Sequence, residues 1–535
     1  MPLLHWLTRD DDINAATRAP YRLLEEVVKY SHGDRDAGNM LIHGDNLDAL
    51  KALLPYYAGK VKCIFIDPPY NTGAAFEHYD DNLEHTKWIA MMYPRLELLR
   101  QFLSSEGFFC CQIDDSEGAY LKVMLDEVFG RGNYLSTLYV QVRYAAKTLK
   151  QDMNFHKQIE QVLVYRCSQS ARPVLPGKES SFDKFCYYIE AGEPSSELEL
   201  GGKKVEIFQT GDYTIQKREP SKSGLKEIWA TGTILDGNSS GRFFRDYLTG
   251  RHDIDGLNVL YRVDGIGDDS LSFRYFTGPK RAGATKGKYF QGVPQYKLDT
   301  EGDETTSPIE NYYDFSGSFG NCRHEGSVDF RGGKKPEILI KLVLDCFSSQ
   351  GDLVLDSFLG SGTTAAVAHK MGRRYIGIEM GDHALTHCVP RLQKVIAGEQ
   401  GGISEAVGWQ GGGGFRFYKL GVPVFDENGH VSSGIRFAPL AAHLWFVSTG
   451  IPYKGRATSP FLGENEGVGL YLLYNGILGD KSVSGGNVLT GRILATLPKH
   501  DGAKVIFGEG CRLSAERLLA EHITFRQIPY EIKAR

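Results

Sequence analysis

Asp67-Pro68-Pro69-Tyr70 places a carboxylate, two stiffened carbonyls and an aromatic ring within four residues. The tetrad closes the apolar run Val61-Lys62-Cys63-Ile64-Phe65-Ile66, which reads as a short buried parallel strand. Prolines cannot donate ladder hydrogen bonds, so the chain stops sharply there. The acceptors and the ring then stand at the strand's carboxyl end, the edge where open α/β sheets bind ligands. An acceptor cluster beside a flat ring suits an exocyclic amine on a planar base: carboxylate and carbonyl accept its N–H bonds while Tyr70 stacks. The bland alternative is a Pro-Pro turn with an incidental tyrosine.

A second chemistry-bearing stretch follows much later. Asp352-Leu353-Val354-Leu355-Asp356-Ser357-Phe358-Leu359-Gly360-Ser361-Gly362-Thr363-Thr364 reads as strand, glycine loop and helix start. The helix continues through Ala365–Lys370, and a second strand, Arg374–Ile378, ends at Glu379. In such a βαβ unit the glycines let backbone approach a ligand and the acidic tip accepts from ribose hydroxyls. Alone, this pattern also passes as a nicotinamide dinucleotide fingerprint. It is not a phosphate-binding P-loop, because no Gly-Lys-Ser/Thr follows.

Together the two stretches resemble the amino-methyltransferases of DNA. In that family an Asp-Pro-Pro-Tyr motif holds the target amine and a Phe-x-Gly-x-Gly loop, here Phe358, Gly360 and Gly362, binds S-adenosylmethionine. The order, catalytic motif first, is that of the permuted β class. Asp67–Gly73 and Gln112-Ile113-Asp114-Asp115 look like the modification subunits of type III restriction-modification systems. The resemblance covers about residues 1–400 and departs at Ser357, where the family often has Pro. It implies catalytic roles for Asp67, Pro68, Pro69 and Tyr70. It implies cofactor contacts from Asp45, Asn46, Lys335, Pro336, Asp356, Phe358, Gly360, Ser361, Gly362, Thr363 and Glu379. The implied reaction is transfer of a methyl group to the N6 amine of adenine in double-stranded DNA. N4-cytosine is the alternative target, with Asp67 favouring adenine, and a nicotinamide-dependent dehydrogenase is the alternative of another class. The resemblance also implies a homodimer or a separate helicase–nuclease restriction subunit as partners.

At 41% hydrophobic and 24% charged residues the chain is ordinary globular material. Its 535 residues predict two to four domains. A net charge of −5 does not announce a nucleic-acid ligand, so any such footprint must be local. The nine cysteines form no Cys-x-x-Cys pair, and Cys322 with His324 lacks partner ligands, so no metal is expected. Neither a leader pattern nor an apolar run of membrane-spanning length is read, and a cytoplasmic location is expected.

The elements that position the motifs alternate. An amphipathic helix is predicted over 20–30, a strand over 41–43, a helix over 47–54, a loop over 71–85, a helix over 88–103, a strand over 108–113 and a helix over 119–129. The expected fold is therefore α/β, a Rossmann-like, mostly parallel sheet with helices on both faces. The expected division is a catalytic half over 1–135, a target-recognition insert over 136–330, a cofactor half over 331–400 and an accessory α/β region over 401–535. Gly401-Gly402 and Gly411–Gly414 are expected to bracket a linker. Within the insert Arg242, Arg245 and Arg251 cluster with Phe243, Phe244 and Tyr247, and Lys280, Arg281, Lys286 and Lys288 cluster with Tyr289 and Phe290. Basic side chains neutralise phosphates and interleaved aromatics stack or wedge, so Arg242, Arg245, Lys280, Arg281, Lys286 and Lys288 are candidate DNA contacts. In the last region Glu531 and Lys533 fit a nuclease pattern too common by chance to carry a reading.

Overall fold

A computed structural model describes residues 3–71, 84–145, 155–178, 182–233, 238–267, 269–281, 283–298, 305–330, 332–425, 431–432, 434–477 and 480–528. Most of the loop expected over 71–85, together with Glu531 and Lys533, lies outside the described residues. The chain divides into two compact units, one of residues 1–174 with 309–535 and one of residues 175–308.

The larger unit is built on an 11-stranded sheet. Its main strands, in chain order, are β1 (Arg22–Glu26), β2 (Met40–His43), β3 (Val61–Ile66), β4 (Leu103–Ile113), β5 (Tyr134–Gln141), β6 (Ile159–Arg166), β7 (Tyr312–Asp314), β8 (Leu353–Asp356), β9 (Arg374–Glu379) and β10 (Gly414–Pro423). Across the sheet they run β1-β10-β2-β9-β8-β3-β4-β6-β5-β7, with the short His32–Gly33 strand also pairing β10. From β10 to β4 every neighbour is parallel, whereas β4–β6 and β6–β5 are antiparallel.

Helices cover both faces, which is why the central strands read as continuous apolar runs instead of alternating ones. Ile64, Ile66, Phe109 and Cys111 share one core with α1 (Asn46–Tyr57), α2 (His85–Phe102) and α3 (Gly118–Leu125). Cys63, Phe65, Phe108 and Cys110 share the other with α4 (Glu337–Phe347), α5 (Thr363–Lys370) and α6 (Val389–Ile396). α1 starts at Asp45 because that side chain accepts from the N–H groups of Leu47 (2.8 Å) and Asp48 (3.3 Å), two of the donors a helix start leaves unpaired.

Two expectations are corrected. Residues 20–30 form no amphipathic helix: Arg22–Glu26 is an edge strand paired antiparallel with β10, and only Val28–Tyr30 makes a 3-10 turn. Pairing with a strand almost four hundred residues away overrides the local helical spacing. The glycine-rich stretch before β10 is no free spacer either. Gly412 donates to the Ile396 carbonyl (2.8 Å) and Trp409 Nε1 to the Val395 carbonyl (2.8 Å), so the segment packs on α6 and then enters the main sheet. A Cβ on Gly413 would stand 2.6 Å from His369 Nε2, which explains one of these glycines. Beyond it, strands Phe461–Asn465, Val468–Leu472, Ala503–Gly508 and Ile523–Gln527 form a separate four-stranded sheet. No helix among the described residues is long and apolar enough to cross a membrane.

The smaller unit carries a six-stranded antiparallel sheet, ordered Ser196–Leu200, Lys203–Phe208, Leu260–Asp264, Phe273–Thr277, Gly287–Gln291, Lys226–Ala230.

Candidate active site

β8 leads through α5 to β9 on one side of the sheet, while β3 leads through α2 to β4 on the other. The chain thus departs in opposite directions from two adjacent parallel strands, and such a switch point opens a crevice at their carboxyl ends. The β8–β3 register aligns Val354 with Cys63 and Leu355 with Ile64. Asp67-Pro68-Pro69-Tyr70 and Ser357-Phe358-Leu359-Gly360 therefore leave the sheet side by side, and the two motifs meet across this crevice.

Asp67 is enclosed, and its Oδ1 lies 3.0 Å from Lys335 Nζ. Burial pushes its carboxyl up to about 6; Lys335 pulls it down, and Glu160 adds to the rise. The Tyr70 hydroxyl donates to Glu160 Oε2 (2.9 Å), and the Lys335 ammonium stands 4.6 Å from the centroid of the Tyr70 ring. Trp88 Nε1 donates to the Pro69 carbonyl (2.7 Å), which anchors the tetrad to α2. Among the described residues no donor reaches the Pro68 carbonyl, so it is available to a ligand beside Asp67. Asn71 adopts φ 58°, and its amide donates to Glu117 Oε1 (2.7 Å), fixing the end of the tetrad to the start of α3.

The glycine loop is held from beneath. Gly360 and Gly362 have φ 58° and 83°, a region that costs residues with a Cβ. The Gly360 N–H donates to Glu379 Oε2 (2.7 Å) and the Gly381 N–H to Oε1 (2.8 Å). Glu379 therefore braces the loop, with His383 Nε2 3.0 Å from its Oε1. Asp356 accepts from the Phe358 N–H (2.9 Å), and burial pushes its carboxyl up to about 7. Asn46 Nδ2 donates to the Ser357 carbonyl (2.8 Å), and Asp45 Oδ2 pairs with Arg95 (2.9 Å). Ser361 and Thr363 receive the Arg391 guanidinium, and the Thr363 hydroxyl also donates to the Lys335 carbonyl (3.3 Å). Pro336 is the N-cap of α4. Lys335 lies beside the tetrad itself, where burial works against its charge but Asp67 and Glu160 outweigh it and hold its pKa above the ordinary value.

The basic candidates lie in the smaller unit. Arg242, Lys280, Arg281 and Lys286 are exposed. Arg245 pairs with Asp246 (2.7 Å), and Lys288 pairs with Glu227 (2.6 Å) and sits over the Trp229 ring. The aromatic half of that expectation is corrected. Phe243, Phe244 and Tyr289 are buried in the unit's own core and Phe290 is buried as well, so these rings are held by packing and cannot wedge into a duplex. The exposed rings near these cations are Tyr247 and Trp229. Sequence reading also passed over Glu160, Trp88 and Arg391. The signal for Glu160 was faint: one acidic residue heading the apolar run Val162-Leu163-Val164-Tyr165. Met380, 68% exposed directly after Glu379, offers an apolar face at the same edge.

The DNA methylase family model for N6 and N4 methyltransferases matches residues 61–389. The chain is 34% identical over 429 residues to the "Probable type III restriction-modification enzyme HindVI Mod subunit" of Haemophilus influenzae, covering 74% of this chain and 55% of that protein. It is 33% identical over 417 residues to the type III EcoPI Mod subunit of Escherichia phage P1, covering 68% and 60%. The Salmonella typhimurium StyLTI Mod subunit is 28% identical over 373 residues, 62% and 50%. The chain thus spans between half and three fifths of these relatives' lengths. Among solved structures, the cytosine-N4-specific PvuII DNA methyltransferase aligns with a TM-score of 0.33 at 12% identity, covering 69% of this chain and 90% of that one.

Proposed function

The chain belongs to the DNA methylase family of N6 and N4 methyltransferases, and from that premise we propose that it transfers a methyl group from S-adenosylmethionine to the N6 amine of adenine in double-stranded DNA. The observation that carries the reading is the meeting of Asp67 and the glycine loop at one switch point. The donor's adenosine and methionine parts fall to Asp45, Asn46, Lys335, Pro336, Phe358, the Gly360–Thr363 loop and Glu379. The fit rests on two features: positive-φ glycines that allow close backbone approach, and the buried carboxyl of Asp356, which suits a cation. Bound there, the donor supplies an electrophilic sulfonium methyl group. Asp67 and the Pro68 carbonyl accept hydrogen bonds from the two N6 N–H groups, which favours a more tetrahedral nitrogen with its lone pair free to attack. Alignment and charge stabilisation are the protein's contribution; Asp67 need not take a proton before attack, and the surplus N6 proton leaves to its carboxylate or to solvent after the methyl group has moved. An N6 amine within a duplex cannot reach this crevice, so the base is flipped out and Tyr70 stacks on it.

Specificity is assigned to the insert containing Arg242, Arg245, Lys280, Arg281, Lys286 and Lys288, within the expected 136–330 segment. A homodimer, a helicase–nuclease partner and a cytoplasmic site of action belong to the same proposal. Sequencing modified bases in DNA from cells expressing the protein is the test. N6-methyladenine confined to one short sequence is expected; N4-methylcytosine would transfer the reading to the other amine, and unmodified DNA would overturn it.

Two further results are expected here. Base–aromatic stacking is worth about 1–3 kcal/mol, so Tyr70→Ala should cost roughly 10- to 100-fold in turnover while Tyr70→Phe stays within about tenfold. Equal activity of the two variants would remove the stacking role. Cofactor affinity should also depend on pH. Burial pushes the folded carboxyl of Asp356 up to about 7, and a bound cation favours its ionised form. Binding therefore strengthens as pH rises through this window and levels off above it. Calorimetry should find S-adenosylmethionine about tenfold weaker at pH 6 than at pH 8, the slope of one linked proton per site, with a flatter profile in Asp356→Asn. An identical profile in that variant would exclude Asp356 as the linked group.

A further inference from the structure

Glu160 comes from β6, the antiparallel strand beyond β4, and lies far in sequence from both motifs. The β4–β6 register pairs Ile113 with Gln161 and Gln112 with Val162, which brings Glu160 to the carboxyl end of β4, next to the tetrad. Its Oε2 accepts from the Tyr70 hydroxyl (2.9 Å) and from Gln112 Nε2 (2.6 Å), and lies 3.7 Å from Lys335 Nζ. Lys335 in turn pairs with Asp67. Asp67, Lys335, Glu160 and Tyr70 thus form a chain of polar contacts, with Gln112 pinning the Glu160 carboxylate from the fully buried end of β4.

Hydrogen bonds on either side of Tyr70, from Trp88 to the Pro69 carbonyl and from Asn71 to Glu117, hold its backbone, but its ring still turns about two side-chain torsions. A hydrogen bond from the phenol to a rigid strand removes that freedom at the far end of the ring. One ammonium shared between two carboxylates stays beside Asp67 and holds it in register with the ring.

We propose that Glu160 is a positioning residue of the methyl-transfer site, holding the Tyr70 ring in its stacking orientation through the phenol and tethering Lys335 beside Asp67. The assignment rests on the adenine-methylation reading above. Glu160 touches neither the base nor the methyl group; it acts through Tyr70 and Lys335.

The test uses the full chain, tritiated S-adenosylmethionine and genomic DNA from a strain without endogenous methylation. Glu160→Ala should lower kcat about tenfold with little change in KM for the cofactor. Glu160→Gln keeps an acceptor for the phenol and should recover most of that loss. In a Tyr70→Phe background, which has no phenol to hold, Glu160→Ala should cost less than about threefold more. Removing the Glu160 charge should also lower the Asp67 pKa, so the acid limb of the Glu160→Gln rate profile moves to lower pH. A residue that merely supports the fold would move neither the acid limb nor the coupling to Tyr70. If Glu160→Ala does not fold, the Glu160→Gln acid limb decides alone. Wild-type kcat in Glu160→Ala, additive losses with Tyr70→Phe, or an unmoved acid limb would each overturn the positioning role. Failure of the wild type to methylate the DNA would overturn the underlying reading as well.

Discussion

Asp67→Ala is expected to lower methyl transfer by about 100- to 1,000-fold, the cost of losing one preorganised group aimed at a developing charge. Asp67 is the carboxylate at the mouth of β3, held by Lys335 and lying beside the Pro68 carbonyl. Removing it takes away one of two acceptors for the target amine and leaves Lys335 with Glu160 alone. Asp67→Asn retains one acceptor oxygen and should keep part of the rate. Cofactor affinity should change far less, because the glycine loop is held by Glu379, Asn46 and Arg391 and not by Asp67. Single-turnover transfer separates the two effects. A near-normal rate in Asp67→Ala would place the amine elsewhere.

The second large effect is on stability. Glu337, at the start of α4, is fully buried between Lys370 Nζ (2.8 Å) and Arg391 Nη2 (2.8 Å), and it accepts from the Ile403 N–H (3.1 Å). Lys370 also pairs with Glu399. Burial alone would raise the Glu337 pKa, but the two cations outweigh it and hold the carboxyl below its ordinary value. A group whose folded pKa is depressed stabilises above its unfolded pKa and stops doing so as pH falls through the folded one. The contribution is thus complete at neutral pH and lost only below the usual carboxylate range. Glu337→Ala strands the buried Arg391 and leaves Lys370 with Glu399 alone, a defect costing about 3–5 kcal/mol, which for a unit of this size lowers the melting temperature by roughly 4–6 °C. Arg391 is the group that grips Ser361 and Thr363, so S-adenosylmethionine binding should weaken in the same variant. Calorimetric melting within a degree or two of wild type would show that the cluster does not hold the loop.

Much of the site was legible because its signals are local. A strand ending in two prolines, a glycine loop before a helix and an acid at the next strand tip are each set by a few consecutive residues. Alternation of strands and helices implied the parallel, doubly covered sheet, since parallel strands need crossovers. Where local spacing competed with distant pairing it misled. Residues 22–26 became a strand because 414–423 offered an edge, and Phe243, Phe244 and Tyr289 turned inward because their unit needed a core.

By itself, then, the sequence determined at which strand ends the Asp67 tetrad and the glycine loop stand, because backbone geometry at a strand end depends on its neighbours in the chain. Only the tertiary structure decided what those residues touch. Lys335 meets Asp67, Glu160 meets Tyr70 across 90 positions, and Arg391 meets Ser361. Such contacts follow from sheet order and register, and in this sheet register is set by side chains that must fill two cores at once.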